Sequence, residues 1–387
     1  MSYDPFERGP HPVGVRTSLW RDDNRDRSLP VEVWYPATEQ FVGKDLDAKT
    51  QDTFVPGWAA GEESEEVALA RQAAFRDADM TQGPHHLVLL VHGWAGYRRE
   101  ATYIGTHLAS HGYLVVSPDI VSSTFADVDA FLGSVGDHGE PTDLEAHVTT
   151  IAHNRKGDVS FLVDTAIEHF DLYQDDVGIT GASFGGWMSL DAPALDPRIA
   201  ASVPMCPAGG RAPVDDGALS DLLDWNWRRD VPTLMLTADR DSLLPLYGQL
   251  ELLRRIPSAD KRMVVLADSD HNHFVDDIDT GQEWLREFAA RVARLFSRGP
   301  GDWTSVARSV APTEQLCAGA SAQLAWRGLI TAHMDAHLRA NTQAREMLNT
   351  PLDRVLAERG VKASTVESGA AHTNQQSDIA ADWAGPR

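Results

Sequence analysis

Short apolar runs alternate with helical patterns along most of this 387-residue chain. Near its start, Val13 to Trp20 and Leu29 to Tyr35 predict two strands joined by the charged turn Arg21-Asp22-Asp23-Asn24-Arg25. Val31, Val33 and Tyr35 alternate onto one face, as in an antiparallel pair with one solvated side. The polar stretch 38–84 then reads as a loop or flap holding one amphipathic helix, Glu65 to Ala78. A connection this long is usually functional or disordered. Leu87-Val88-Leu89-Leu90-Val91 is a continuous apolar run, the signature of a strand buried on both faces of a parallel sheet. Helix Arg99 to Ser110, strand Tyr113 to Val116, a polar excursion, helix Asn154 to His169 and strand Val177 to Thr180 follow. A helix beginning near Gly185 leads to strand Ala200 to Met205. Strands Thr233 to Leu236 and Met263 to Leu266 flank helix Leu243 to Arg255, and helix Gln282 to Phe296 comes after them.

Repeated strand–helix–strand units imply a parallel sheet with helices on both faces. The expected fold class is therefore α/β: a mostly parallel twisted sheet with an antiparallel N-terminal hairpin. We expect one domain over residues 1–360, with insertions near 38–84, 122–150 and 297–320. Gly299-Pro300-Gly301 is the one linker late in the chain, and Ala322 to Leu348 predicts an amphipathic helix broken once. Residues 361–387 are rich in Ala, Ser, Gly, Asn and Gln without periodicity, which predicts a disordered tail.

Charge narrows the partners. With 57 acidic against 34 basic residues the formal charge is -23, which argues against nucleic acid and against an anionic membrane surface. No stretch approaches the roughly 20 apolar residues needed to span a bilayer, so no membrane insertion is expected. No basic region followed by an apolar run stands at the N-terminus, and the expected location is the cytoplasm. Cys206 and Cys317 are too few for a disulfide scaffold and lack metal-site spacing.

Gly181-Ala182-Ser183-Phe184-Gly185 follows a buried apolar strand and opens a helix. That context makes Ser183 a candidate nucleophile, since a sharp strand-to-helix turn exposes the hydroxyl and needs small neighbours at minus two and plus two. The alternative is a glycine-rich turn that happens to hold a serine. A serine hydroxyl needs a base. Among 15 histidines, those in the loop after strand 263–266 are placed for it, in Asp268-Ser269-Asp270-His271-Asn272-His273-Phe274. His271, closer to the strand end, is favoured over His273. The imidazole needs an acid to orient it, between serine and histidine in chain order. Asp241, in Asp-x-x-aliphatic-Pro, is favoured over Asp239. Oxyanion donors are expected from the backbone N–H groups of Trp94, in His92-Gly93-Trp94-Ala95-Gly96, and of Phe184 after the serine.

Other chemistries read as weaker. Asp268, Asp270, Asn272 and Asp279 loosely imitate a calcium loop, but His273 stands where that loop needs glycine. His271-Asn272-His273 lacks a third ligand at zinc spacing, and neither a Walker loop nor a dinucleotide fingerprint is present.

With these residues in place, the chain resembles the platelet-activating-factor acetylhydrolase-like and dienelactone-hydrolase-like serine esterase branch of the α/β hydrolases. Gly9 to Arg16, Asp22 to Arg27 and Val31-Glu32-Val33-Trp34-Tyr35-Pro36 look like that family's hairpin. His92-Gly93, Leu108 to Tyr113, Asn154-Arg155-Lys156-Gly157-Asp158 and Gly181 to Gly185 follow in its order. The similarity runs from about residue 9 to 275 and resumes near Ala332 to Leu348.

The resemblance implies hydrolysis of carboxylic esters, often short or small, without a metal or organic cofactor. Dienelactone hydrolases proper use a cysteine nucleophile, so Ser183 points to ester rather than dienelactone substrates. The expected partner is a small-molecule ester; a homo-oligomer is left open. An amidase, carbamate hydrolase or acyltransferase would use the same triad. A catalytically silent binding protein on this fold is the alternative of a different class.

Overall fold

The computed structural model describes residues 3–59, 69–135, 141–215, 217–296 and 301–367. Ten strands form one sheet: β1 (Val13–Asp22), β2 (Arg27–Pro36), β3 (Phe75–Arg76), β4 (His85–Val91), β5 (Tyr113–Pro118), β6 (Leu172–Ala182), β7 (Ile199–Met205), β8 (Thr233–Ala238), β9 (Lys261–Leu266) and β10 (Ala363–Glu367). Their order across the sheet is β10-β9-β8-β7-β6-β4-β5-β2-β1-β3. The block from β5 to β9 is parallel, whereas the β1–β2 hairpin and β10 pair antiparallel. This is the mostly parallel α/β sheet the strand pattern predicted and the α/β-hydrolase architecture the resemblance implied.

The continuous apolar run of β4 has a direct structural reading. Leu87, Leu89 and Val91 pack into one core and Val88 and Leu90 into the other, because successive side chains leave opposite faces of a strand. Helices α1 (Thr102–Ser110) and α8 (Gly319–Leu338) cover the face of Val88 and Leu90, through Ile104, Leu108, Trp326 and Leu329. Helices α3 (Pro141–His169), α4 (Phe184–Leu195) and α5 (Leu246–Arg255) cover the other, through Leu162, Val163, Trp187 and Leu252.

A third, smaller core stands at the ends of the strands. It joins α2 (Phe125–Ser134), α3, α6 (Ile278–Leu295) and α7 (Trp303–Ser309) through Leu132, Phe288, Val292 and Trp303. Polar stretches expected as insertions at 122–150 and 297–320 thus meet in one cluster. The helix predicted at Asn154 starts earlier, at Pro141, giving α3 29 residues. The chain from Ala322 to Leu348 is two helices, α8 and α9 (Thr342–Leu348), and α10 (Leu352–Ala357) follows.

Two expectations need correction. The helix expected at Glu65 to Ala78 does not form in its described part, where Ala70–Gln72 pairs with Asp52–Phe54 and Phe75–Arg76 pairs with β1; residues 60–68 lie outside the described part. Ladder bonds to distant strands override the local amphipathic pattern there. The tail expected from residue 361 begins as edge strand β10, where Val366 is buried and pairs with Met263. It covers backbone groups of β9 that an open edge would leave unpaired. Residues 368–387 of that expected tail lie outside the described ones. Among the described residues, no helix is long and apolar enough to cross a membrane.

Candidate active site

Ser183 sits between β6 and α4 with φ 58° and ψ -115°, a conformation that non-glycine residues rarely adopt. The surroundings hold it there. Its N–H donates to Met205 O at 2.9 Å, and its carbonyl accepts from Trp187 N at 2.9 Å and Ala208 N at 3.0 Å. Glycine neighbours are required by contact: a Cβ on Gly181 or on Gly185 would collide with the Val91 carbonyl, and one on Gly186 would lie 2.7 Å from Met205 O. Strain of this kind, fixed by its environment, concentrates at functional sites.

His271 opens a short 3-10 turn after β9, and its Nδ1 lies 2.9 Å from Asp241 Oδ2. The other Asp241 oxygen accepts from Leu243 N at 3.0 Å and Leu244 N at 2.7 Å, so the carboxylate is anchored by its own loop. Nδ1–H donating to Asp241 leaves Nε2 as the ring's basic nitrogen. Burial alone would lower the His271 pKa, but the Asp241 charge and hydrogen bond, aided by Asp270 and Glu100, outweigh it and raise the pKa above 6.5.

The rivals have other partners. Asp239 accepts from Asp268 N at 2.9 Å and Ser269 N at 3.1 Å, bracing the turn that leads to His271. His273 is fully buried; its Nδ1 accepts from Asp270 N at 3.1 Å and its Nε2 lies 3.2 Å from Cys317 O. Both of its nitrogens are engaged, and burial lowers its pKa. Asp270, also fully buried, accepts from His271 N (2.7 Å), Ser242 N (2.8 Å), Ser242 Oγ (2.9 Å) and Gln282 Nε2 (2.6 Å). It stitches the Asp241 loop, the His271 loop and α6 together.

Ser183, His271, Gly93 and Trp94 line one cavity of about 180 Å³. Its walls are aromatic: Phe54 and Trp58 from the flap, Tyr97, Phe125 from the start of α2, and Trp284 and Phe288 from α6. The Trp94 ring packs edge-on against Phe288, 5.3 Å between centroids. Trp94 therefore walls the cavity with its side chain while its backbone follows Gly93, whose added Cβ would lie 3.3 Å from the Ser183 Cβ. Phe184, as the first residue of α4, has an N–H with no acceptor inside its own helix.

Three residues around the site carried no assigned role in the sequence. Arg155 on α3 is fully buried and holds the carbonyls of His92 and Gly93. Glu100 accepts from Gly93 N at 3.0 Å, and desolvation pushes its pKa up to about 7. Cys206, fully buried after β7, lies beside Asp241. The signal for Arg155 was its place in Asn154-Arg155-Lys156-Gly157-Asp158; in the same segment Asp158 pairs with Arg25 and Arg27 of the N-terminal hairpin.

Among the described residues, the group able to converge on a metal ion is Cys206, Asp241 and His271, with donor atoms within 4.8 Å of one another. Its chemistry fits a metal poorly: both Asp241 oxygens are committed, and burial followed by the Asp241 charge raises the Cys206 thiol pKa, keeping it protonated. Of the acidic residues that imitated a calcium loop, Asp270 is likewise committed, accepting from four donors.

The model of the dienelactone hydrolase family matches residues 74–281, more than half of the chain. The chain belongs to this family. Membership supports ester hydrolysis as its activity. Among 892 matching solved chains, a ferulic acid esterase from Streptomyces cinnamoneus superposes with a TM-score of 0.55 at 21% identity, covering 85% of this chain and 91% of that one. At that identity the likeness shows the fold alone. Among curated proteins none matches the chain.

Proposed function

We propose that this family member is a serine carboxylesterase that cleaves small, uncharged esters through an acyl-enzyme. The observation that carries the reading is a strained Ser183 sharing one cavity with His271, whose ring is held by Asp241. In this reading His271 Nε2 takes the Ser183 proton as Oγ attacks the ester carbonyl. Trp94 N–H and Phe184 N–H bind the oxyanion of the tetrahedral intermediate. Collapse expels the alcohol, which receives the proton from His271, and water repeats the sequence to release the acid.

Substrate size and character follow from the walls. A cavity of about 180 Å³ lined by Phe54, Phe125, Trp284 and Phe288 suits a short apolar or single-ring acyl group. Glu100, Asp276 and Asp277 also line it, and no Lys or Arg does among the described residues, which disfavours a carboxylate on the substrate. That the fold neighbour is named a ferulic acid esterase makes aromatic esters a sensible panel.

The test is turnover of p-nitrophenyl acetate and of methyl esters of aromatic acids, with fluorophosphonate labelling of the active serine. Wild type should turn over and label, and Ser183→Ala should do neither. Ester turnover at the wild-type rate in Ser183→Ala would sink the reading. An unlabelled, well-folded wild type would point instead to a silent binding protein, and selective turnover of amides or carbamates to the related hydrolases.

A further inference from the structure

Arg155 buries a guanidinium with no carboxylate in direct contact among the described residues. Its Nη1 donates to His92 O at 2.9 Å, and its Nη2 to Gly93 O at 3.0 Å and to Ser123 Oγ at 2.8 Å. Its Nε has no hydrogen-bond partner among the described residues. The nearest acids are otherwise engaged, Glu100 by Gly93 N and Asp158 by Arg25 and Arg27. Burial lowers the Arg155 pKa to about 9 in spite of the Glu100 and Asp158 charges. Sinking a cation without a direct counter-ion is costly, so its placement calls for an explanation beyond packing.

The Gly93 carbonyl supplies one. His92 Nδ1 also reaches it at 2.7 Å, and the tautomer is fixed because His92 Nε2 accepts from Ile120 N at 2.9 Å. Burial and then the Arg155 charge lower the His92 pKa to about 3, so its Nδ1–H is a neutral donor. Gly93 O belongs to the same planar peptide unit as Trp94 N–H, and in a trans peptide the two point in opposite directions. Donors that grip this carbonyl from the α3 side turn the Trp94 N–H the other way. A cation on the oxygen also draws electron density from the nitrogen and sharpens the N–H as a donor. The same guanidinium carbon lies 4.9 Å from the Phe184 ring centroid, against the residue that carries the other oxyanion donor.

We propose that Arg155 is a positioning residue of the oxyanion hole, which orients and polarises the Gly93–Trp94 peptide and seats Phe184. This rests on the esterase reading above. Arg155 touches no substrate; it acts through the peptide unit, and its effect should be felt where negative charge develops on the carbonyl oxygen.

The experiment compares wild type with Arg155→Met, Arg155→Lys and Ser123→Ala, with active sites titrated to completion by a fluorophosphonate. For Arg155→Met, kcat per titrated site should fall roughly 10- to 100-fold with KM within about threefold of wild type. Arg155→Lys should recover only part of this loss, because an ammonium cannot reproduce the planar fork on two carbonyls and a hydroxyl. A trifluoromethyl ketone, which forms a tetrahedral oxyanion adduct on the serine, should lose affinity in step with kcat/KM.

A merely structural arginine would lower the titrated fraction or the melting temperature and leave kcat per site and ketone affinity unchanged, which would overturn the proposal. Should Arg155→Met fail to fold, Arg155→Lys and Ser123→Ala carry the same two readouts. If wild type itself shows no Ser183-dependent turnover, the esterase reading falls and takes this inference with it. If wild type turns over and the Arg155 variants keep its kcat, this inference alone fails.

Discussion

His271 and Asp241, 30 positions apart in the chain, meet at 2.9 Å between Nδ1 and Oδ2 because β8 and β9 are adjacent parallel strands ending at the same level. Strand pairing sets the two loops side by side, and Asp270 locks them by accepting from Ser242 of one and from the His271 N–H of the other. The pair therefore owes its geometry to the C-terminal ends of two paired strands.

A raised His271 pKa gives the pH dependence its sign. Asp241 favours the imidazolium, and only the neutral ring can accept the Ser183 proton. Accordingly, kcat/KM should rise with pH through an apparent pKa above 6.5 and fall below it. Asp241→Asn should move that limb downward and cut kcat by about four orders of magnitude, through loss of the correct tautomer. A pH–rate profile of both proteins checks the shift; an unmoved limb would break the link between the two residues.

The two histidines of the loop should separate cleanly. His271→Ala should abolish turnover with little change in melting temperature. His273→Gln should cost about 1–3 kcal/mol, because Cys317 O and Asp270 N are left with poorer partners in a buried site. Its kcat per folded molecule should stay within a few-fold of wild type. Urea titrations alongside kinetics measure both quantities, and the opposite pattern would make His273 the base.

Cys206 lies next to Asp241, yet it should not react. It is fully buried and burial raises its pKa, so the thiolate that alkylating agents need is scarce. Iodoacetamide at neutral pH should leave ester turnover intact, with Cys206 unmodified by peptide mass analysis. Rapid inactivation protected by substrate would instead place a thiol in the chemistry.

Glu100 should leave a trace in stability. Its pKa in the folded protein, about 7, is raised from 4.5 by desolvation, so the folded state holds this proton more tightly than the unfolded chain. The contribution is present in full below about 4.5 and is lost as pH rises through about 7. Glu100→Gln removes the titration and should flatten the fall in melting temperature between those values. Parallel curves for the two proteins would contradict it.

Much of this was legible without coordinates. The alternation of buried runs and helices announced the sheet, because strands covered on both faces must be apolar at every position. The elbow at Ser183 was readable because its demands are local: a strand before, a helix after, and glycines where Val91 and Met205 carbonyls approach. The described part of the helix expected at Glu65 to Ala78 and residues 363–367 of the tail expected over 361–387 were misread for one reason. Each forms a strand only because a partner far away in the chain offers an unpaired edge.

By itself, then, the sequence determined the sheet, the place of Ser183, and the two loops from which an acid and a base would come. The tertiary structure decided which carboxylate meets which imidazole, since Asp239 and Asp241, like His271 and His273, differ in partners rather than in local pattern. It also decided the pocket, whose walls gather Phe54, Phe125 and Phe288 from separate stretches of chain, and the role open to Arg155. Periodicity reports how each residue sits on its own strand or helix. Hydrogen-bond partners and cavity walls are contacts between elements, and only the packed chain specifies them.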